Sequence, residues 1–268
     1  MSWFDGIIYK FPLLRKTLNI LIPDRATTIS LLHRNLTIST RSEVGLLRLA
    51  WLINSSPTGH EIASLFSLAG FIRPGDTFVD VGANIGLYSV LMASLGEMIG
   101  FSVVAIEPNA RTAEVLRKNL SSYECATVIE GAASNFEGKL TFAAGLASGT
   151  FHVAQKNSTN NKFYSVRAFR LDQLETLSNT RLVLKIDVEG HEAEVLEGLQ
   201  GALEFGRVSV LMIDGFKDKK IPDKLASLGF KLFDGRSLQQ YNGHFNLLAV
   251  RDSEADKRND RVSSCGVK

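Results

Sequence analysis

The sequence predicts an α/β fold, a mostly parallel sheet with helices on both faces, and three observations carry that prediction. Short apolar runs alternate with stretches that keep apolar residues on one helical face along most of the chain. The stretch Thr77 to Gly86, TFVDVGANIG, is an apolar run broken only by an acid and followed by glycines that turn directly into the helical pattern LYSVLMASLG. Finally, the runs SVVAIE, LVLKID and VSVLMID each close on an acid, which sets Glu107, Asp187 and Asp214 beside Asp80 at strand ends.

Taken in order, residues 1–22 place Trp3, Phe4, Ile7, Ile8, Phe11, Leu14 and Leu18 at helical spacing with Pro12 interrupting, so an amphipathic helical arm is expected. Residues 1–50 carry seven Lys or Arg against three acids, +4, which leaves −2 for the rest of a chain whose net charge is +2. A basic amphipathic arm suits an anionic membrane surface, but an apolar helical face is more often buried in protein, so packing on the main domain or on a second copy is the preferred reading. TTISLL with LTIST reads as extended structure, residues 43–53 as a short helix and residues 54–59, NSSPTG, as the connection to the core.

The core domain is expected over residues 61–251. A helix at 61–71 and the turn RPGD deliver the first strand; SVVAIEP is the second, stopped by Pro108; helix 110–120 follows; ATVIEGAA is the third. KLTFAAG is a further strand, and residues 145–162, rich in Gly, Ser, Asn and Thr, form a long loop of the kind that is functional or mobile. VRAFRLDQL reads as an extra strand and short helix, LVLKIDV as the fourth strand, 190–205 as one helix, VSVLMIDGF as the fifth strand, 219–228 as a helix, and GFKLFDG with FNLLAVRD as a closing pair. Residues 252–268 are expected to be an unstructured tail. Apolar content of 45% with 22% charged residues is ordinary for a globular protein, and two distant cysteines, Cys125 and Cys265, argue against a disulfide framework. With no run long enough to span a bilayer and no cleavable-signal layout, a cytoplasmic location is expected, with peripheral contact at the inner face of the membrane as an option for the arm.

The turn after Asp80 departs from a dinucleotide fingerprint, because Asn84 stands where the second glycine would yield to a pyrophosphate and Gly86 comes early. An acid at that strand end suits a ligand with hydroxyls and positive charge, as S-adenosylmethionine has. FVDVGANIG, followed by AIEPNARTAEVLRKNL and LVLKIDVEGHEAEVLEGL, resembles the FkbM family of class I S-adenosylmethionine-dependent methyltransferases, and the resemblance covers roughly residues 61–251. It implies a Rossmann-like class I methyltransferase fold, a mostly parallel seven-stranded sheet with an antiparallel edge strand and helices on both faces. It also implies O-methylation, often of glycans, glycolipids or secondary metabolites.

Ligands of open α/β sheets bind beyond the carboxyl ends of the strands. The cofactor residues expected there are Asp80, Gly82, Asn84, Gly86, Glu107, Ala132 and Asp187: Glu107 accepts two ribose hydroxyls, the glycines let the backbone pass beneath the ligand, and Asp80 orders the loop and the cofactor's amino-acid end. Gly131 stands where many class I methyltransferases carry an acid for the adenine amino group, which leaves adenine to Ala132 or to Glu130. The catalytic candidates are His191 as base, Asp187 and Glu189, in a block that also holds Lys185 and Glu192. Against this stands a plain structural account, in which Glu189 and Glu192 cap the helix that follows. No dedicated metal motif is present, although Asp187, Glu189 and Asp214 are oxygen donors. The family's fifth strand usually ends in Glu, and here it ends in Asp214. His60, Glu61 and His244 are further rim candidates. The expected reaction is methyl transfer to a hydroxyl of a small molecule or glycan. The alternatives are an NAD-dependent oxidoreductase and an inactive cofactor-binding module, and no basic aromatic segment points to nucleic acid.

Overall fold

The computed structural model describes residues 26–31, 34–39, 59–143, 152–153, 163–235, 237–243 and 246–254. The expected arm at 1–22, the helix at 43–53, most of the loop at 145–162, His244 and the tail beyond 254 lie outside the described residues. The chain starts with an antiparallel pair, β1 (Ala26–Leu31) and β2 (Arg34–Ser39). Then come α1 (Gly59–Ala69), β3 (Thr77–Val81), α2 (Leu87–Ile99), β4 (Ser102–Glu107), α3 (Ala110–Leu120) and β5 (Ala126–Glu130). A middle section holds β6 (Ala132–Ala133), β7 (Gly138–Ala143), β8 (His152–Val153) and β9 (Phe163–Phe169). The last third is β10 (Leu182–Ile186), α4 (Glu192–Gly198), α5 (Gln200–Glu204), β11 (Val208–Asp214), α6 (Ile221–Ser227), β12 (Phe230–Asp234) and β13 (Asn246–Arg251).

Seven strands form the main sheet in the order β12-β13-β11-β10-β3-β4-β5, with β11, β10, β3, β4 and β5 mutually parallel. This is the expected Rossmann-like arrangement. The antiparallel strand is β13, and it sits one place in from the edge, between β11 and β12. The central strands β3 and β10 are buried at every residue, and their side chains alternate between two cores. Phe78 and Val183 pack with α1, α2 and α3, whereas Val79 and Leu184 pack with α4, α5 and α6 on the other face. Apolar runs without polar alternation are what a sheet covered on both sides requires.

Four features depart from the expectation. ATVIEGAA is two strands: Gly131 interrupts it, and β6 leaves the main sheet to join a second one ordered β6-β9-β7-β8. The helix expected at 190–205 is split, because the Asp172 carboxylate accepts the N–H groups of Gly201 and Ala202 at 2.7 and 2.9 Å and so starts α5 as a separate helix. The ordered body continues past Arg251, since Glu254 is buried and pairs with Arg73 and Arg181, the latter at 3.3 Å. The β1–β2 pair is anchored to the core: the Asn119 side chain accepts from Thr37 N at 2.7 Å and donates to the Thr37 and Ile85 carbonyls.

Candidate active site

The turn that opens the site is pinned to the end of the neighbouring strand. Gly82 N and Ala83 N both donate to the Ile106 carbonyl, at 3.0 and 2.9 Å. Gly82 has φ 79°, and a Cβ there would come within 1.9 Å of the Asp187 carbonyl oxygen, so only glycine lets the turns after β3 and β10 approach this closely. Glu107, at the end of β4, is 6% exposed and its two oxygens take different main-chain donors, Asn84 N at 3.0 Å and Asn109 N at 2.9 Å. One carboxylate thus ties the glycine turn to the first residue before α3, whose N-cap is Asn109. Burial pushes the Glu107 carboxyl up to about 7, against the two N–H groups and the Lys185 charge. Each oxygen keeps a lone pair beyond the one that its backbone partner uses.

A pocket opens here beyond the carboxyl ends of β3, β4 and β10. Val81, Gly82, Asn84 and Glu107 form one wall, Gly131, Ala132, Ala133 and Phe142 a second, and Asp187, Val188, Glu189 and His191 a third. Of the residues expected at the cofactor, Gly82, Asn84, Glu107, Ala132 and Asp187 line it, as do all three catalytic candidates. Two do not. Gly86 is buried at the start of α2, where a Cβ would meet Leu116 at 2.6 Å; it serves the packing of α2 on α3. Asp80 is 1% exposed and faces inward: Ser89 Oγ donates to its Oδ2 at 2.6 Å, and its Oδ1 lies 3.5 Å from Lys185 Nζ. The register pairs Asp80 with Lys185 on adjacent strands, so both side chains point to the α2 face.

The second wall explains the missing acid. A Cβ on Gly131 would sit 2.8 Å from the Phe169 ring and 3.0 Å from the Arg167 carbonyl, so the second sheet leaves no room for a side chain. Glu130 does not substitute for it, because that side chain is turned outward to Arg117 at 2.7 Å. Phe142, which no motif singled out, closes this wall from β7, packed with Ala132 and Val166.

On the third wall, Asp187 is 39% exposed with Oδ2 3.3 Å from Lys185 Nζ. Glu189 has φ 54° and is exposed. Glu192 has the structural role: it is 2% exposed and accepts from Gly190 N at 2.7 Å, and burial, the Gly190 N–H opposing it, raises its pKa. His191 is the N-cap residue of α4, with Nε2 3.0 Å from Ser134 Oγ and Nδ1 3.4 Å from Glu194. Glu194 favours the tautomer with the proton on Nδ1, which makes Nε2 the acceptor of the Ser134 hydroxyl. Burial pulls its pKa below the ordinary imidazole value of 6.5 and so keeps the ring neutral. Asp214 ends β11 but does not line the pocket. His60 and Glu61 fall in the first turn of α1.

The stretch that builds this pocket also matches a known family. Residues 80–232 match the family model for the methyltransferase FkbM domain, more than half of the chain. The chain belongs to the FkbM methyltransferase family. A hexuronic acid methyltransferase, AglP of Haloferax volcanii, is 31% identical to this chain over 158 residues, 57% of this chain and 62% of that protein. The antimetabolite synthetase AmbE of Pseudomonas aeruginosa is 27% identical over 279 residues, covering 80% of this chain but 13% of its own length. The chain therefore spans less than two thirds of either relative. A solved FkbM methyltransferase from Methylobacillus flagellatus aligns with a TM-score of 0.49 at 14% identity over 91% of this chain and 60% of its own.

Membership removes the NAD-dependent alternative and makes S-adenosylmethionine the cofactor. The pocket residues fit it. Glu107 offers lone pairs to hydroxyls, the Gly131–Phe142 wall offers an apolar slot for a flat base, and Asp187 and Glu189 offer negative charge to a cationic centre. The Asn84 Oδ1 atom is buried without a hydrogen-bond partner among the described residues, an acceptor awaiting a donor. Lys185 belongs to the predicted block, and spacing alone gives it no role. Its signal was a single cation inside the otherwise apolar run LVLKI.

Proposed function

We propose that this FkbM methyltransferase transfers the methyl group of S-adenosylmethionine to a hydroxyl of a sugar, glycolipid or secondary metabolite. The observation that carries the reading is one pocket lined by Glu107, Asp187, Glu189 and His191 together. The Haloferax volcanii relative, a hexuronic acid methyltransferase, directs the choice of acceptor toward sugars. The bound cofactor supplies an electrophilic methyl group on a sulfonium. Glu107 would accept from the ribose hydroxyls, the backbone at Gly131 and Ala132 would hold the adenine, and Asp187 would hold the cationic end. Glu189 binds the acceptor at the mouth of the pocket.

His191 is the base in this scheme. Its Nε2 exchanges the Ser134 hydroxyl for that of the acceptor, and Glu194 stabilises the imidazolium that forms. Burial lowers the His191 pKa, so at saturating cofactor the rate falls as pH drops below the ordinary imidazole range. His191→Gln is expected to lower kcat by ~10²-fold and to abolish that acidic limb. The arm at residues 1–22 is proposed to meet a second copy or a membrane surface that presents the acceptor.

The test uses S-adenosylmethionine labelled in its methyl group, with hexuronic-acid-containing and neutral glycans as acceptors and product analysis by mass spectrometry and NMR. Label on a sugar oxygen is the expected result. Label on nitrogen or carbon would replace O-methylation, and no transfer from a bound cofactor to any acceptor would favour a binding module.

A further inference from the structure

Lys185 stands where stability does not call for it. It is 6% exposed in the middle strand of the sheet, between Leu184 and Ile186, which are both fully buried. Apolar residues of similar size often serve a core as well as a buried ion pair does, or better. What the ammonium does instead is hold three things together. It lies 3.3 Å from Asp187 Oδ2, 3.5 Å from Asp80 Oδ1 and 3.4 Å from the Gly82 carbonyl, with the Tyr88 ring centroid at 5.1 Å. Asp187 and Gly82 belong to two different walls of the pocket, and Asp80 is itself fixed by Ser89 in the first turn of α2.

We infer that Lys185 is a positioning residue for the cofactor site: through Asp80 and Ser89 it is braced against α2, and from there it fixes the Asp187 carboxylate relative to the turn at Gly82. The inference rests on the reading of the pocket as the S-adenosylmethionine site. A buried ammonium is suited to this, because it has three donor directions and cannot leave its carboxylates without stranding charge in the core. Lys185 touches no ligand in this account and acts through Asp187. Asp80 gains its meaning here too, as the counter-charge that keeps Lys185 in place.

A double-mutant cycle separates positioning from general support. S-adenosylmethionine is titrated calorimetrically into the wild type, Lys185→Met, Asp187→Asn and the double variant, with thermal melts to establish that each is folded. Each single change is expected to weaken binding ~10-fold, and the double variant no further, since residues acting as one unit are non-additive. Lys185→Arg, which keeps the charge, is expected to recover most of the loss. Additive losses near ~100-fold in the double variant, or a Lys185→Met variant that binds like the wild type, would overturn the inference. If Lys185→Met does not fold, Ser89→Ala loosens only the brace on Asp80 and is expected to weaken binding ~3-fold, an effect absent when Asp187 is already Asn. Here an additive Ser89 effect, or none, overturns it. A wild type that does not bind the cofactor would sink the reading of the pocket itself, a separate outcome.

Discussion

Asp80 and Glu107 end neighbouring strands and are almost equally hidden, at 1% and 6% exposure, yet the structure treats them in opposite ways. Asp80 receives a cation and a hydroxyl and is sealed beneath the turn. Glu107 receives two main-chain N–H groups and opens on the pocket with a carboxyl pushed up to about 7. The difference teaches that an acid at a strand end is not by itself a ligand group. What decides its use is whether its partners seal it beneath the turn, as they do Asp80, or leave it open to the pocket, as with Glu107 and the Lys185-paired Asp187. Asp80 is committed to the fold, and Glu107 is left poised for a ligand.

The contrast is broken most strongly by removing each charge in turn. Asp80→Asn strands part of the Lys185 charge in the core and is expected to cost about 3 kcal/mol of folding stability, read by chemical denaturation at pH 8. Glu107→Gln under the same conditions relieves a buried charge but turns an amide NH2 toward one of the two main-chain donors, and it is expected to cost about 1 kcal/mol, less than Asp80→Asn. Equal losses in the two variants would erase the distinction. A third strand end sharpens it: Gly131→Asp would restore the acid found in many class I methyltransferases, but its Cβ must displace the Phe169 ring. A loss of about 2 kcal/mol is expected, and tighter cofactor binding without destabilisation would contradict the packing account.

The smallest effect is in pH. Glu107 has a folded-state pKa raised from 4.5 to about 7, so its contribution to the stability of the ligand-free protein is present below 4.5 and is lost as pH rises through about 7. On the proposed reading of the pocket, cofactor binding uses the ionised form and runs the other way. Affinity for S-adenosylmethionine is expected to weaken about tenfold between pH 8 and pH 6, following the fall in the ionised fraction, and Glu107→Gln should flatten both profiles. Opposed slopes in the wild type are the signature to look for in melts and titrations over that range.

Much of this was legible in the residues, and what was not has a physical reason. The helix expected at 110–120 is α3, because Asn109 is a good N-cap and the apolar positions fall at helical spacing. Strands 77–81 and 102–107 declared themselves as short apolar runs, the first broken only by Asp80. The second sheet did not, since β6 pairs with β9 across a long stretch of chain, and a two-residue strand carries no pattern of its own. The break between α4 and α5 depends on Asp172, distant in sequence. For the site, Glu107 and the 187–191 block could be read from spacing, whereas the inward turn of Asp80 depends on a cation two strand positions before Asp187. Spacing gives the rim; partners across the sheet decide which members of it face the ligand.

The central claim is that Glu107 makes this pocket the S-adenosylmethionine site, and calorimetric titration of the purified protein with S-adenosylmethionine tests it most directly, with Glu107→Ala alongside. The account predicts saturable one-to-one binding by the wild type and a loss of ~100-fold or more in the variant, as expected when hydrogen bonds to a charged group are removed. A folded wild type, stripped of carried-over ligand, that fails to bind, or a variant that binds as well as the wild type, would contradict it.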